Sequence, residues 1–120
     1  MSKNMKPEVK ELWLAALRSG DYEKGKGALR STNGELCCLG VLCDIAPKEA
    51  GYWGAGKAEV TFIDTQTGRG YSASLPLSVQ EWSGIATDDG WFKELKDSLA
   101  HINDTTDTFE EVIDAIERFF

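Results

Sequence analysis

No apolar run in the 120 residues approaches the roughly 20 that a bilayer-spanning helix requires. The opening MSKNMKPEVK lacks the apolar core of a secretory signal, so the expected location is the cytoplasm. Histidine occurs once, as His101, and cysteine three times, as Cys37, Cys38 and Cys43, with no CxxC pair. A structural zinc site, which needs four ligands at compatible spacing, is therefore not expected. Neither GxxxxGK[ST] nor GxGxxG occurs, which removes a P-loop and a Rossmann fingerprint. Asp104, Asp107, Glu110 and Glu111 are acidic but lack the DxDxDG spacing of a calcium loop. No internal repeat, low-complexity tract or linker breaks the chain, so residues 1–120 read as one domain with no cofactor and no metal.

What is present is an ordinary globular composition, 42% hydrophobic and 28% charged. A chain this long buries roughly two-thirds of its unfolded surface and needs no disulfide staple. Its net charge of −7 is uneven. Residues 1–60 carry nine Lys/Arg and eight Asp/Glu, residues 61–120 four and twelve, so the halves stand at +1 and −8. Such a chain repels phosphate backbones and offers membranes no basic amphipathic helix, so direct nucleic-acid and membrane binding are not expected. The acidic half reads either as a solvated face or as a surface that docks on a basic host protein.

The apolar pattern suggests the elements. Val9, Leu12, Trp13, Ala16 and Leu17 mark a helix from Pro7 to Ser19, stopped at Gly20. Ala28–Arg30 and Glu35–Cys37 flank Ser-Thr-Asn-Gly as a tight hairpin. LCCLGVLCDIA, residues 36–46, is apolar nearly all round and reads as a buried helix from Cys38 to Ala46, with Gly40 permitting close backbone packing. Residues 47–57 read as a loop carrying Tyr52 and Trp53 between glycines. Lys57–Asp64 and Tyr71–Leu75 alternate as a second hairpin. Ser78–Glu81 and Thr108–Glu111 look like capping boxes, and Phe92, Leu95, Leu99 and Ile102 have helical spacing. The expected fold is α+β, a small antiparallel sheet of two hairpins packed against about five helices.

Two segments offer chemistry. Lys24-Gly25-Lys26-Gly27-Ala28-Leu29-Arg30 places three cations among glycines, and successive N–H groups there can form an anion nest. Arg30 can grip a phosphate with its fork, and a helix starting near Cys38 adds its positive end. The alternative is a flexible, solubilising turn. Tyr52 and Trp53 either stack on a base or fold back onto the core. A thiol at a helix start, Cys37 or Cys38, can be a nucleophile with His101; the alternative is a small buried hydrophobe. The candidate ligand-binding set is Lys24, Gly25, Lys26, Gly27, Arg30, Cys38, Tyr52 and Trp53.

Leu17-Arg18-Ser19-Gly20, Tyr22, Gly25, Gly27, Leu29-Arg30 and the run CCLGVLCD, residues 37–44, carry a family resemblance. So do Leu75-Pro76, Trp82-Ser83-Gly84, Asn103-Asp104, Thr108–Val112 and Asp114–Glu117. Together they resemble a family of small uncharacterised proteins of bacteriophages and bacterial genomes, with CCLGVLCD the most specific part. The resemblance is weaker over residues 47–74, and it implies no activity and no site residue. It does imply a phage origin, where small accessory proteins counter host defence from the host cytoplasm.

The leading functional expectation is a non-enzymatic accessory protein that binds a nucleotide or another phosphate-bearing small molecule. No activator of a catalytic water is visible, so sequestration of a signalling nucleotide is favoured over its cleavage. The alternatives are a protein–protein inhibitor using the acidic C-terminal face, and a cysteine-dependent enzyme. Phe119 and Phe120, at the apolar end of the last helix, read either as a homo-oligomer surface or as a cap on the core.

Overall fold

The computed structural model describes residues 5–55 and 60–120. The fold is α+β: five helices with one three-stranded and one two-stranded antiparallel sheet among the described residues. No described helix is long and apolar enough to cross a membrane.

Helix α1, Pro7–Arg18, starts at a proline whose missing N–H costs nothing in the first turn. It buries Val9, Trp13, Leu14 and Leu17. Helix α2, Cys38–Ile45, lies at the centre, with residues 38–43 all buried. The Trp13 indole donates to the Cys38 carbonyl at 2.9 Å, so the largest side chain of α1 is paired where it is buried. Gly40 has the expected close approach: a Cβ there would sit 1.8 Å from the Leu29 carbonyl oxygen. Only a glycine lets the 28–30 segment cross α2 at this depth.

The first expected hairpin forms in reduced shape. Arg30 bridges Leu36 in antiparallel fashion, and Gly34 takes φ +90° in the turn, but no ladder grows from the bridge. Leu36 also bridges Lys24 in parallel, so it serves both sides and neither run extends into a strand.

Within the expected loop at 47–57, residues 51–55 form a strand instead. Strand β1, Gly51–Ala55, pairs with β2, Val60–Asp64, in the register Trp53↔Phe62. The turn-like glycines misled the reading, because Gly51 serves packing: a Cβ there would meet the Phe62 ring at 2.3 Å. The Lys57–Glu59 part of the expected strand lies outside the described residues. Strand β3, Gly70–Tyr71, adds only two pairs to β2, so the second expected hairpin is short. Helix α3, Leu77–Ser83, follows Pro76, and its expected capping box is absent because Ser78 turns to Asp64.

The helix expected over Phe92–Ile102 is a correction. Trp91–Phe92 (β4) pairs with Asp97–Ser98 (β5), and α4 begins only at Leu99. Lys96 takes φ +52°, which no helix accommodates, and the Ser98 hydroxyl accepts the His101 N–H to start α4 at Leu99–Asp104. Helix α5, Glu110–Phe119, buries Val112, Ala115 and Ile116. Thr108 accepts the Glu110 N–H at 3.3 Å in place of a full capping box. Phe119 and Phe120 both pack on Phe92, at ring distances of 5.2 and 5.4 Å, and so cap the core.

Asp64 ties the sheet to α3. It is wholly buried, and its carboxylate accepts the Ser78 N–H and hydroxyl together with the Gln66 and Thr67 N–H groups. Burial alone would raise its pKa, yet these donors hold it below the ordinary value. A carboxyl with a depressed folded pKa stabilises above its unfolded value and loses that contribution as pH falls through the folded one. Denaturant melts below about pH 4 should therefore show wild type losing stability faster than Asp64→Asn. At neutral pH the variant should be less stable by about 1–3 kcal/mol.

Candidate functional site

The three glycine-spaced cations are directed to three different places. Lys24 reaches inward, and its ammonium donates to the backbone carbonyls of Asn103 and of Thr106, the latter at 2.6 Å. Desolvation, followed by the neighbouring Lys26 charge, lowers the Lys24 pKa. Lys26 stays outside and pairs with Asp107 at 3.4 Å. The expected anion nest is not formed: the Gly27 N–H alone donates to the Asp104 carboxylate, at 2.9 Å, and the Gly25 N–H donates to the Leu36 carbonyl. Gly25 is buried, and its carbonyl accepts from the Asn103 amide at 2.9 Å.

Helix α2 is equally committed at its start. The Cys38 N–H donates to the Asn103 side-chain oxygen at 3.1 Å, and the Gly40 N–H to the Cys37 sulfur. Cys38 is fully buried and its thiol lies 3.7 Å from the Leu99 carbonyl, so Cys38 reaches no ligand. Burial pushes the thiols of Cys37, Cys38 and Cys43 up, those of Cys38 and Cys43 well above the usual range. A nucleophile needs the opposite shift. His101 is exposed and turned to Asp97 at 2.8 Å. Among the described residues no three His, Cys, Asp or Glu side chains converge as metal ligands.

Lys24, Gly25 and Cys38 meet inside the protein at Asn103, whereas Arg30 and Trp53 are brought together at its surface, beside a recess. The Arg30 guanidinium carbon lies 5.5 Å from the Trp53 ring centroid. Trp53 is itself fixed: its indole N–H donates to Asp44 at 3.1 Å, and its ring meets Phe62 edge-on at 5.1 Å. The other Asp44 oxygen accepts the Tyr22 hydroxyl at 2.7 Å. Burial and this contact raise the Tyr22 pKa to about 12, so the phenol remains a donor. Tyr52, one residue away in β1, points to the opposite face and is 59% exposed.

Between these parts lies an open recess of about 450 Å³. Arg30, Ser31, Thr32, Asn33 and Gly34 form one wall, and Trp53, Gly54 and Val60 the other. Its size falls in the roughly 300–1,000 Å³ range of small-molecule sites. Among the described residues Arg30 makes no ion pair, unlike Arg18 with Glu117, Lys26 with Asp107 and Arg118 with Asp114. The recess thus presents an oriented guanidinium beside an aromatic ring and a turn with polar side chains.

Residues 5–120 match the model of DUF8296, a domain of unknown function. The chain belongs to that family. No curated protein and no solved structure matches it. The site therefore rests on its own geometry.

Asn103, Asp104 and Asp44 were not singled out as site-shaping residues, nor were Ser31–Gly34 as a wall. The turn residues read as a turn, but its position beside Trp53 depends on Leu29 being the segment that crosses Gly40, and that partner is not given by local sequence.

The buried thiols give a direct check. Native protein should react with a thiol-specific chromogenic disulfide at all three cysteines only on unfolding. Rapid labelling of Cys38 in the native state would contradict the described burial.

Proposed function

We propose that this chain is a small non-enzymatic accessory protein of phage origin that binds a nucleotide-like anion in the recess between Arg30 and Trp53. In the host cytoplasm its role is sequestration of a signalling nucleotide as counter-defence. The observation that carries the binding reading is the Arg30 guanidinium, seated on Trp53, facing an open recess and free of any carboxylate among the described residues.

The physical case is one of preparation. A guanidinium already seated on an aromatic ring gives up little freedom when it meets a phosphate. Trp53 is held by Asp44 and Phe62, so the platform does not have to form on binding. Lys24 drops out of the ligand set because two backbone carbonyls already hold its ammonium, and Lys26 because it does not line the recess.

The acidic-face inhibitor has a weaker basis. A cleft of about 410 Å³ runs beside α4 and α5, with Leu95, Ile102 and Phe119 among its apolar residues and Glu111 and Asp114 among its acids. Yet Asp107, Asp114 and Glu117 each meet a Lys or Arg of the same chain, which reduces the field a basic partner would feel. The cysteine-dependent enzyme finds no support in buried thiols with raised pKa values.

A thermal-shift titration with mononucleotides, dinucleotides and cyclic nucleotides tests the reading. At least one should raise the melting temperature. Arg30→Ala should remove that shift while folding persists, and Lys26→Ala should leave it intact. A shift that survives Arg30→Ala but is lost in Lys26→Ala would move the site to the 24–27 loop and overturn the assignment.

A further inference from the structure

Resting on this reading of the recess, we infer that the ligand is a nucleotide whose phosphate is a singly charged diester, cyclic or internucleotide, and not a terminal polyphosphate. The inference comes from counting what the recess has free to offer. Among its described residues Arg30 is the one cation. The neighbouring cations do not line it: Lys24 donates to two backbone carbonyls, and Lys26 lies on the surface beside Asp107.

The wall also lacks a backbone cradle. The Asn33 and Glu35 N–H groups both donate to the Ser31 hydroxyl oxygen, at 3.2 and 3.1 Å. The Gly34 N–H donates to the Ser31 carbonyl at 3.0 Å. Sites that hold polyphosphates do so with several free N–H groups and a metal ion or further cations. Here the Asn33, Gly34 and Glu35 N–H groups are spent on the turn's own shape, and the nearby Gly25 and Gly27 N–H groups go to Leu36 and Asp104.

What the recess retains suits a smaller charge. One guanidinium fork matches the two non-bridging oxygens of a diester, which carries a single negative charge per phosphate. Thr32 and Asn33 have exposed side chains without a partner among the described residues, neutral groups that suit sugar hydroxyls and base edges. The chain's net charge of −7 adds a general penalty that grows with the ligand's charge.

The test is calorimetric titration of the full chain at fixed ionic strength. The cyclic monophosphates of the four common ribonucleosides and their dinucleoside monophosphates are compared with the triphosphates of the same bases. The expected result is that at least one diester binds about tenfold or more tightly than its triphosphate. Arg30→Lys, which keeps the charge but loses the fork, should weaken that diester by at least as much. Circular dichroism checks that the variant is folded, and Thr32→Ala with Asn33→Ala, on the exposed turn, should weaken the diester independently of Arg30. A triphosphate that binds as tightly as the best diester would overturn this inference while leaving the recess as the site. Absence of binding by diesters and triphosphates alike would overturn both this inference and the reading beneath it.

Discussion

A single buried amide, that of Asn103, organises the part of the molecule that carries the proposed site. Its oxygen accepts the first N–H of α2, its nitrogen donates to the Gly25 carbonyl, and its own backbone carbonyl accepts the Lys24 ammonium. Three segments far apart in the chain thus meet at one fully buried residue. Each of these groups would be costly to leave unpaired in the interior, by about 1–3 kcal/mol. The amide can satisfy a donor and an acceptor at once, which an aspartate or a leucine at 103 cannot.

This constraint divides the cations by role. With Lys24 held inward and Gly27 bound to Asp104, the glycine-rich loop becomes a fixed strap across α2. The strap continues through Leu29, which crosses Gly40, and delivers Arg30 to the edge of the β1–β2 hairpin. There Trp53 receives it, and Asp44, at the end of the same buried helix, fixes Trp53. The anchor at one end of α2 and the Arg30–Trp53 contact at the other are parts of one mechanical arrangement. The recess owes its shape to that arrangement and not to local flexibility.

The parts legible in the sequence were those with local causes. The helical stripe of Val9, Trp13 and Leu17, the all-round apolarity of residues 38–43 and the close approach at Gly40 all follow from spacing and size. So did the pairing of Arg30 with Trp53 in one candidate set, although the reason offered there was chemical type. What was not legible depended on distant neighbours. Gly51 looks like a turn residue until the Phe62 ring is placed over it. Phe92, Leu95, Leu99 and Ile102 have helical spacing, but the positive φ at Lys96 and the cap at Ser98 divide them between a hairpin and a helix. The glycines at 25 and 27 suit an anion nest by local chemistry alone. That the Gly25 N–H goes to Leu36 and the Gly27 N–H to Asp104, 77 residues further along, is a fact of tertiary structure.

Amide hydrogen exchange in wild type and Asn103→Ala tests the central claim most directly. The Cys38 amide in wild type should exchange only through global unfolding, and Gly25 should be protected through its bond to Leu36. In the variant, protection should fall at Lys24–Gly27 and Cys38 well before it falls in α5, with an overall loss of about 2–4 kcal/mol. Unchanged protection at Cys38 together with an unchanged melting temperature would contradict the account, because the strap would then hold without the amide said to hold it.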